Sequence, residues 1–263
     1  MAASTAAPTL RALRIQGRVI HALLMREVLT RYGRHNIGFL WLFVEPMIFT
    51  LGVTAMWAVI KTSSALPIVA FAVTGYSSVL LWRNMPSRCI GALGPNQSLM
   101  YHRNVRPMDV YVSRLLLEAI GGTTSFLVLS LLFIGIGWMA LPEDLLKIAL
   151  GWFLLMWFGA ALALLLGSLS QQFEVIEKVW GPFSYLTFPL SGAMFMVEWL
   201  PKGGQEFVLY FPMVHCVELL REGYFGSTVT AHYDVGYVVA ISAVLSLLAL
   251  AQERRVSRGM VLE

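Results

Sequence analysis

Charge is scarce in this sequence: only 13% of its 263 residues are Asp, Glu, Lys or Arg, against 57% hydrophobic. Soluble domains carry about a quarter charged residues, so the composition excludes an ordinary soluble globule. With a mean hydropathy of +0.70, the chain reads as a membrane protein, and no stretch is long and polar enough for a separate soluble domain. Cysteine is nearly absent. Cys89 and Cys216 are the two present, without metal-type spacing, and the topology below puts them on opposite sides of a membrane, which excludes a bond between them. No Gly-Lys dipeptide occurs, so the G-x-x-x-x-G-K-S/T loop that cradles ATP phosphates is missing. His21, His35, His102, His215 and His232 form no H-E-x-x-H pair, and no G-x-S-x-G elbow occurs. Catalysis is unsupported, and no metal or cofactor of the chain's own is expected.

What is there centres on Met25 to Met47, MREVLTRYGRHNIGFLWLFVEPM. Its first half is basic and polar, with Arg26, Glu27, Arg31, Arg34 and His35; its second half turns apolar and aromatic and holds Glu45-Pro46 at lipid depth. Upstream, residues 1–9 are small and polar, and Arg11, Arg14 and Arg18 interrupt any signal-peptide core. On a helical wheel Leu10, Leu13, Ile20, Leu23, Leu24 and Val28 share one side and the three arginines another. That pattern predicts an amphipathic helix in the membrane interface, or else one packed on a soluble partner. Continued further, the helix would place Arg31 and Arg34 on its apolar side.

A span needs roughly 20 apolar residues. Ile37 to Ile60, Leu66 to Trp82, Val110 to Ala140, Leu145 to Leu169, Val179 to Met196 and Val235 to Leu250 qualify as six. The second is short unless it runs past Trp82, and the third is long enough to project. The net charge of +4 could suggest nucleic acid, but the Lys and Arg residues sit in alternate connections. With the N-terminus inside, only Lys61, Lys147, Lys202 and Arg221 fall outside, so the positive-inside rule makes both termini cytoplasmic. Phe207 to Leu220 is apolar but too short to cross and is broken by Pro212; it predicts a re-entrant pair of short helices on the outer side. Gly151, Gly159 and Gly167, with Ala160, Ala161 and Ala163, mark close helix contacts within a subunit or between subunits.

Ionisable residues inside spans are functional candidates. Glu45 and Glu118 stand out, although an interhelical hydrogen bond is the plainer fate of each, and Arg114, four residues before Glu118, predicts a local ion pair. Trp41, Tyr76, Trp82, Trp180 and Tyr185 are candidates for a sugar-tolerant path, because rings stack on sugar faces; an interfacial belt or packing role explains each singly. The long inner connection, Arg83 to Arg114, carries Tyr101, His102, Arg103, Asn104 and Arg106. It suits docking of a soluble subunit, or simply a solvated loop at the headgroups.

The stretches MREVLTRYGRHNIGFLWLFVEPM, NVRPMDVYVSRLLLE, LSGAMFMVEWLP and FPMVHCVELLREGYF resemble type-2 ABC exporter permeases that move polysaccharides, most closely capsule exporters of the KpsM kind. The resemblance runs from about Leu10 to Arg258. It implies an all-α membrane protein of the type-2 ABC exporter fold, with six transmembrane helices, an N-terminal interface helix and outer re-entrant helices. The expected layout is a disordered 1–9, an amphipathic interface helix over 10–35, and a six-span domain over 36–252. That domain holds a cytoplasmic coupling loop at 83–114 and a periplasmic re-entrant region at 198–234; a cytoplasmic tail at 253–263 follows. A homodimer in the bacterial inner membrane is implied, with two ATP-binding subunits below, ATP and Mg on those partners, and envelope-spanning export proteins above. The coupling helix maps to roughly Asn96 to Pro107. Many relatives have Asn where this chain has Phe211, so no polar role is expected there.

The cargo would be a lipid-linked, acidic capsular polysaccharide. Arg31 and Arg34 would attract its phosphate or acidic sugars, with Arg83 and Arg88 completing the rim, since Arg suits bidentate phosphate contacts. Trp41 begins the path, and Glu45-Pro46 is a structural joint. The rivals are an exporter of O-antigen, teichoic acid or another amphiphile, and, in another class, a membrane-embedded glycosyl- or acyltransferase. The latter needs a His or carboxylate constellation that is not found.

Overall fold

The computed structural model describes residues 6–32, 44, 47–48, 50–52, 55–56, 67–100 and 105–262. Among these residues the chain is helical, with no strand. The helices are α1 (Ala6–Tyr32), α2 (Ile68–Cys89), α3 (Pro107–Gly135), α4 (Leu145–Ser170), α5 (Val175–Leu186), α6 (Lys202–Val208), α7 (Pro212–Phe225) and α8 (Val235–Leu262).

Local chemistry sets several starts. Pro107 occupies the first position of α3, where a missing N–H costs nothing, and Asp109 Oδ2 accepts from Arg106 N at 2.9 Å. Asp144 caps α4, its Oδ1 accepting from Leu146 N and Lys147 N. Pro212 breaks the outer apolar segment as expected, α6 ending at Val208 and Pro212 opening α7. The two short helices foreseen over Phe207 to Leu220 are thus α6 and α7.

Among the described residues, three helices are long and apolar enough to cross a membrane: Pro107–Gly135, Leu145–Ser170 and Val235–Arg258. Helix α2 has 22 residues, about 33 Å at 1.5 Å per residue, but its last turns carry Arg83 and Arg88. It runs seven residues past Trp82 and replaces the beginning of the long loop expected at 83–114; the connection that remains is 90–106. It contains a tight turn at Gly94–Asn96 and one helical turn at Gln97–Met100.

Helix α4 is the central post. A Cβ at Gly159 would sit 3.1 Å from Trp82 Cα, one at Gly167 3.0 Å from Cys89 Cβ, and one at Gly151 2.9 Å from Cys216 O. The glycine row is therefore consumed inside one chain, by α2 and α7, and does not form a subunit interface. Where lipid supplies no hydrophobic drive, such backbone approach gains dispersion contacts. These contacts make α2 parallel to α4. Helix α3 runs the other way, with Tyr111 Oη donating to Gly167 O at 2.9 Å and Trp152 Nε1 to Thr123 Oγ1 at 2.9 Å. Helix α8 packs on α4 through Trp157 Nε1 and Ser246 Oγ, 3.1 Å apart.

The expected fifth span, Val179 to Met196, needs correction. Its helix is α5, twelve residues from Val175 to Leu186, too short to cross alone. Turns follow, because Pro189 cannot donate to a helix and Gly192 sits at φ +80°. The path nevertheless tracks α2 along its length. Trp180 Nε1 donates to Ser87 Oγ at 2.9 Å, Phe188 meets Tyr76 with ring centroids 5.5 Å apart, and Trp199 stacks on Phe71 at 5.2 Å.

Helix α1 begins at Ala6, four residues before the expected start, and lies along the first half of α3. Leu23 is buried against the core while Leu13, Arg14 and Arg18 are exposed. Gln16 bonds Asp109, Arg26 bonds Asn96 and Arg31 bonds Glu118, so α1 is pinned at three points to α3 and to the 90–106 connection.

Candidate functional site

Two polar clusters mark the ends of the helix bundle, and an apolar cavity lies between them. At the α1 end, Glu27 and Arg31 of α1 meet Arg88 of α2 and Arg114 and Glu118 of α3. Arg31 Nε donates to Glu27 Oε1 at 2.9 Å and its Nη1 to Glu118 Oε1. Arg88 Nε lies 3.3 Å from Glu118 Oε1, and Arg114 Nε 3.3 Å from Glu27 Oε1. Arg114 Nη1 also donates to Arg88 O at 2.6 Å, which covers the end of α2.

The local Arg114–Glu118 pair expected from the sequence does not form. An arginine N-terminal to a glutamate is the poorer helical order, and each residue finds a charge on another helix instead. Three guanidinium groups share two carboxylates, leaving one positive charge in surplus. Arg88 is the exposed member, its side chain 41% accessible against 12% for Arg31 and 8% for Glu118. Burial alone would lower the Arg31 pKa, but Glu118 and Glu27 outweigh it and the pKa is raised, so the residue stays charged.

The other named residues fall as follows. Arg34, Trp41, Glu45, Tyr101, His102, Arg103 and Asn104 lie outside the described residues. Arg106 is exposed at the start of α3. The Arg83 guanidinium stands 4.8 Å over the Tyr185 ring, and Tyr185 is exposed. Tyr76, Trp82 and Trp180 are buried in helix packing. The structure brings Arg31, Arg88 and Glu118 together; it does not line up the described aromatic residues on one open surface.

At the opposite end, α7 is buried along nearly all its length, yet carries His215, Glu218 and Arg221. Arg221 is fully buried and donates to Gly192 O and Phe195 O at 2.6 Å and to Ala193 O at 2.7 Å. Its guanidinium also lies 3.8 Å over the Phe71 ring. Glu218, equally buried, accepts from Val197 N and His232 N at 3.1 Å. His215 Nδ1 accepts from Asp234 N at 2.9 Å and its Nε2 bonds Leu209 O at 2.8 Å, which makes Nε2 the protonated nitrogen.

One helix thus supplies the hydrogen bonds that the unwound segment 192–197 cannot make to itself, as buried backbone requires. Gly75 of α2 makes room for it, since a Cβ there would come within 2.5 Å of Ala193 O. Sequence reading missed this cluster, counting Arg221 only as an outside charge. The signal was Glu218 and Arg221, two charges three residues apart in the apolar run HCVELLR.

The cavity between the clusters has a volume of about 390 Å³ and is walled by α2, α4, α5 and the start of α7. Among the described residues no cluster of His, Cys, Asp or Glu could hold a metal ion, and both cysteines are buried and free.

This helical architecture, with three helices among the described residues long and apolar enough to cross a membrane, is that of an integral membrane protein. The chain belongs to the ABC-2 type transporter family, whose pattern it matches over residues 18–225. Among its relatives is the capsule polysaccharide export inner-membrane protein BexB of Haemophilus influenzae, 44% identical over 94% of each chain. The corresponding protein CtrC of Neisseria meningitidis serogroup B is 45% identical, again over 94% of each. The polysialic acid transport protein KpsM of Escherichia coli is 26% identical over 94% of this chain and 96% of its own.

Proposed function

We propose that this chain is the transmembrane permease of an ATP-driven exporter that moves lipid-linked, acidic capsular polysaccharide out of the cytoplasm. The observation that carries the reading is the likeness to capsule export inner-membrane proteins along nearly the full length of both chains. The chain has no ATP loop, so ATP and Mg belong to two partner ATPase subunits. Two copies of the permease pair in the inner membrane, and periplasmic and outer-membrane export proteins receive the cargo. Each copy crosses six times: residues 37–60, α2, α3, α4, the 175–199 path and α8. Both termini and the α1 end face the cytoplasm, and α6 and α7 form the re-entrant outer cap.

The α1-end network is the cargo's first contact. An anionic glycolipid terminus meets the surplus charge at Arg88 and at Arg34, while Arg31, committed to Glu27 and Glu118, positions α1 against α3. ATP-driven movement enters through the 90–106 connection, where Tyr101, His102, Arg103, Asn104 and Arg106 contact the ATPase. The Arg26–Asn96 bond passes that movement to α1. Trp41, Arg83 and Tyr185 remain the proposed path residues, while Tyr76, Trp82 and Trp180 pack between helices.

Deletion of the gene from its source cell, with re-expression, tests the reading. Capsule lost from the surface, retained inside and restored by the intact gene is expected, together with co-purification of an ATPase subunit. Normal surface capsule in the deletion strain contradicts it.

A further inference from the structure

Five arginines take no part in the network of Glu27 and Glu118: Arg14 and Arg18 of α1 and Arg254, Arg255 and Arg258 of α8 are exposed. Among the described residues none of them pairs with a carboxylate. Each set lies on the side of its helix that faces away from the bundle. On α1, Gln16, Leu23, Glu27 and Arg31 turn inward, and Arg14 and Arg18 lie opposite them at 100° per residue. On α8, Ala249, Gln252, Glu253 and Val256 are buried, and the three arginines lie opposite. Glu27 and Glu253 are the only carboxylates in the two helices, and both belong to the packed sides. The outer sides therefore carry charge of one sign.

What continues each cationic side identifies its neighbour. On α8 the same side carries exposed Val244, Leu247 and Leu248 along the crossing. Arg254 stands about 9 Å beyond Leu248 at 1.5 Å per residue, and Glu253 beside it is within electrostatic reach of Tyr111 near the start of α3. Helix α1 runs in the direction of α3, since Gln16 meets Asp109 and Arg31 meets Glu118. There the order along the chain is reversed, and Arg14 and Arg18 precede exposed Met25 and Leu29 on one side. Both helices thus pass from exposed apolar side chains to exposed guanidinium groups toward the same end of the bundle. Acyl chains followed by headgroups present that order of surroundings; a soluble partner does not extend onto the apolar crossing surface. We propose that these two faces bind anionic phospholipid. The five guanidinium groups pair with headgroup phosphodiesters, and Met25, Leu29, Leu247 and Leu248 lie against the acyl chains. The choice of the cytoplasmic leaflet rests on the orientation proposed above; the headgroup contact stands without it. Among the described residues, Gln16 to Asp109 is the one hydrogen bond tying the first half of α1 to α3, so the headgroups also hold that half in place.

The test uses the purified full chain in phosphatidylcholine membranes with a trace of spin-labelled phosphatidylglycerol or spin-labelled phosphatidylcholine. Electron spin resonance then measures how much of each label is immobilised at the protein. Phosphatidylglycerol is expected to be preferred by about fivefold or more, the worth of one arginine near an anionic surface. The preference fades in about 1 M salt, where the screening length is about 3 Å. Replacing all five arginines by glutamine abolishes it, and replacing them by lysine keeps most of it, at unchanged melting temperature in phosphatidylcholine alone. The α1 pair and the α8 trio are also replaced separately, and each set lowers the preference. Equal immobilisation of the two lipids by the wild-type chain overturns the proposal. A preference undiminished in the glutamine variants overturns it too. Loss of a co-purifying ATPase from those variants, with lipid preference intact, assigns the faces to a protein partner instead. The measurement needs neither cargo nor ATPase, so its failure is distinct from failure of the exporter reading, which the capsule of the deletion strain reports.

Discussion

The two ends of the bundle treat charge in opposite ways. At the α1 end, arginines are solvated by carboxylates within α1 and across helices, in a network with one guanidinium 41% exposed. At the α7 end, Arg221 and Glu218 are solvated by backbone groups and shut away from solvent. The first arrangement exchanges partners readily, since another anion can take the place of a carboxylate. The second does not, because its partners are the fixed carbonyls and amides of one unwound segment. The contrast is between an exchangeable charge network at the α1 end, which the proposed function takes as the anion-receiving mouth, and a fixed polar frame at the α7 end.

Breaking the rigid end should have the largest effect. Arg221→Met strands three carbonyls and leaves Glu218 as an unbalanced buried charge, at a cost of about 3–5 kcal/mol. The expected outcome is loss of the protein from membranes, read by immunoblot, or a collapse in melting temperature after purification. Next comes the post between the ends. Gly159→Leu forces α2 away from α4 and is expected to cost roughly 1–3 kcal/mol by overpacking, measured as a lower melting temperature. Survival of either variant at wild-type stability would erase the distinction between a fixed frame and a labile mouth.

At the α1 end the effects should shrink. Glu118→Gln removes the carboxylate shared by Arg31 and Arg88 and is expected to cost about 1.5–3 kcal/mol. A double-mutant cycle with Arg31→Gln should return a coupling of about 0.5–3 kcal/mol. Additive losses would mean that the two residues do not act together. The smallest stability change belongs to Arg88→Gln, under about 1 kcal/mol, because solvent screens this exposed side chain.

Much of this frame is legible in the sequence, for identifiable reasons. Long apolar runs made α3, α4 and α8 visible, and Pro212 with its flanking glycines marked the outer pair of short helices. The helical wheel put Arg31 on the apolar side of α1 on the condition that the helix ran past Gly33; α1 is described to Tyr32, and there Arg31 turns to Glu118 of α3. What remained hidden depends on tertiary partners. The fifth crossing path looks continuous in hydropathy, yet Pro189 and Gly192 unwind it because Arg221 stands ready to satisfy its carbonyls. Glu118 looked like a partner for Arg114 until α1 and α2 supplied closer charges. Trp82 looked like a path residue by its type, and its burial beside an apolar cavity could not be read from spacing.

The central claim is that the charge network at the α1 end receives the anionic cargo, rather than merely holding α1 in place. The most direct measurement compares surface capsule in cells expressing the wild-type chain, Arg88→Lys or Arg88→Gln at matched membrane levels and melting temperatures. The account predicts that Arg88→Gln loses most surface capsule while Arg88→Lys retains a substantial part. Unchanged export by Arg88→Gln, with the protein stable and abundant, would contradict it.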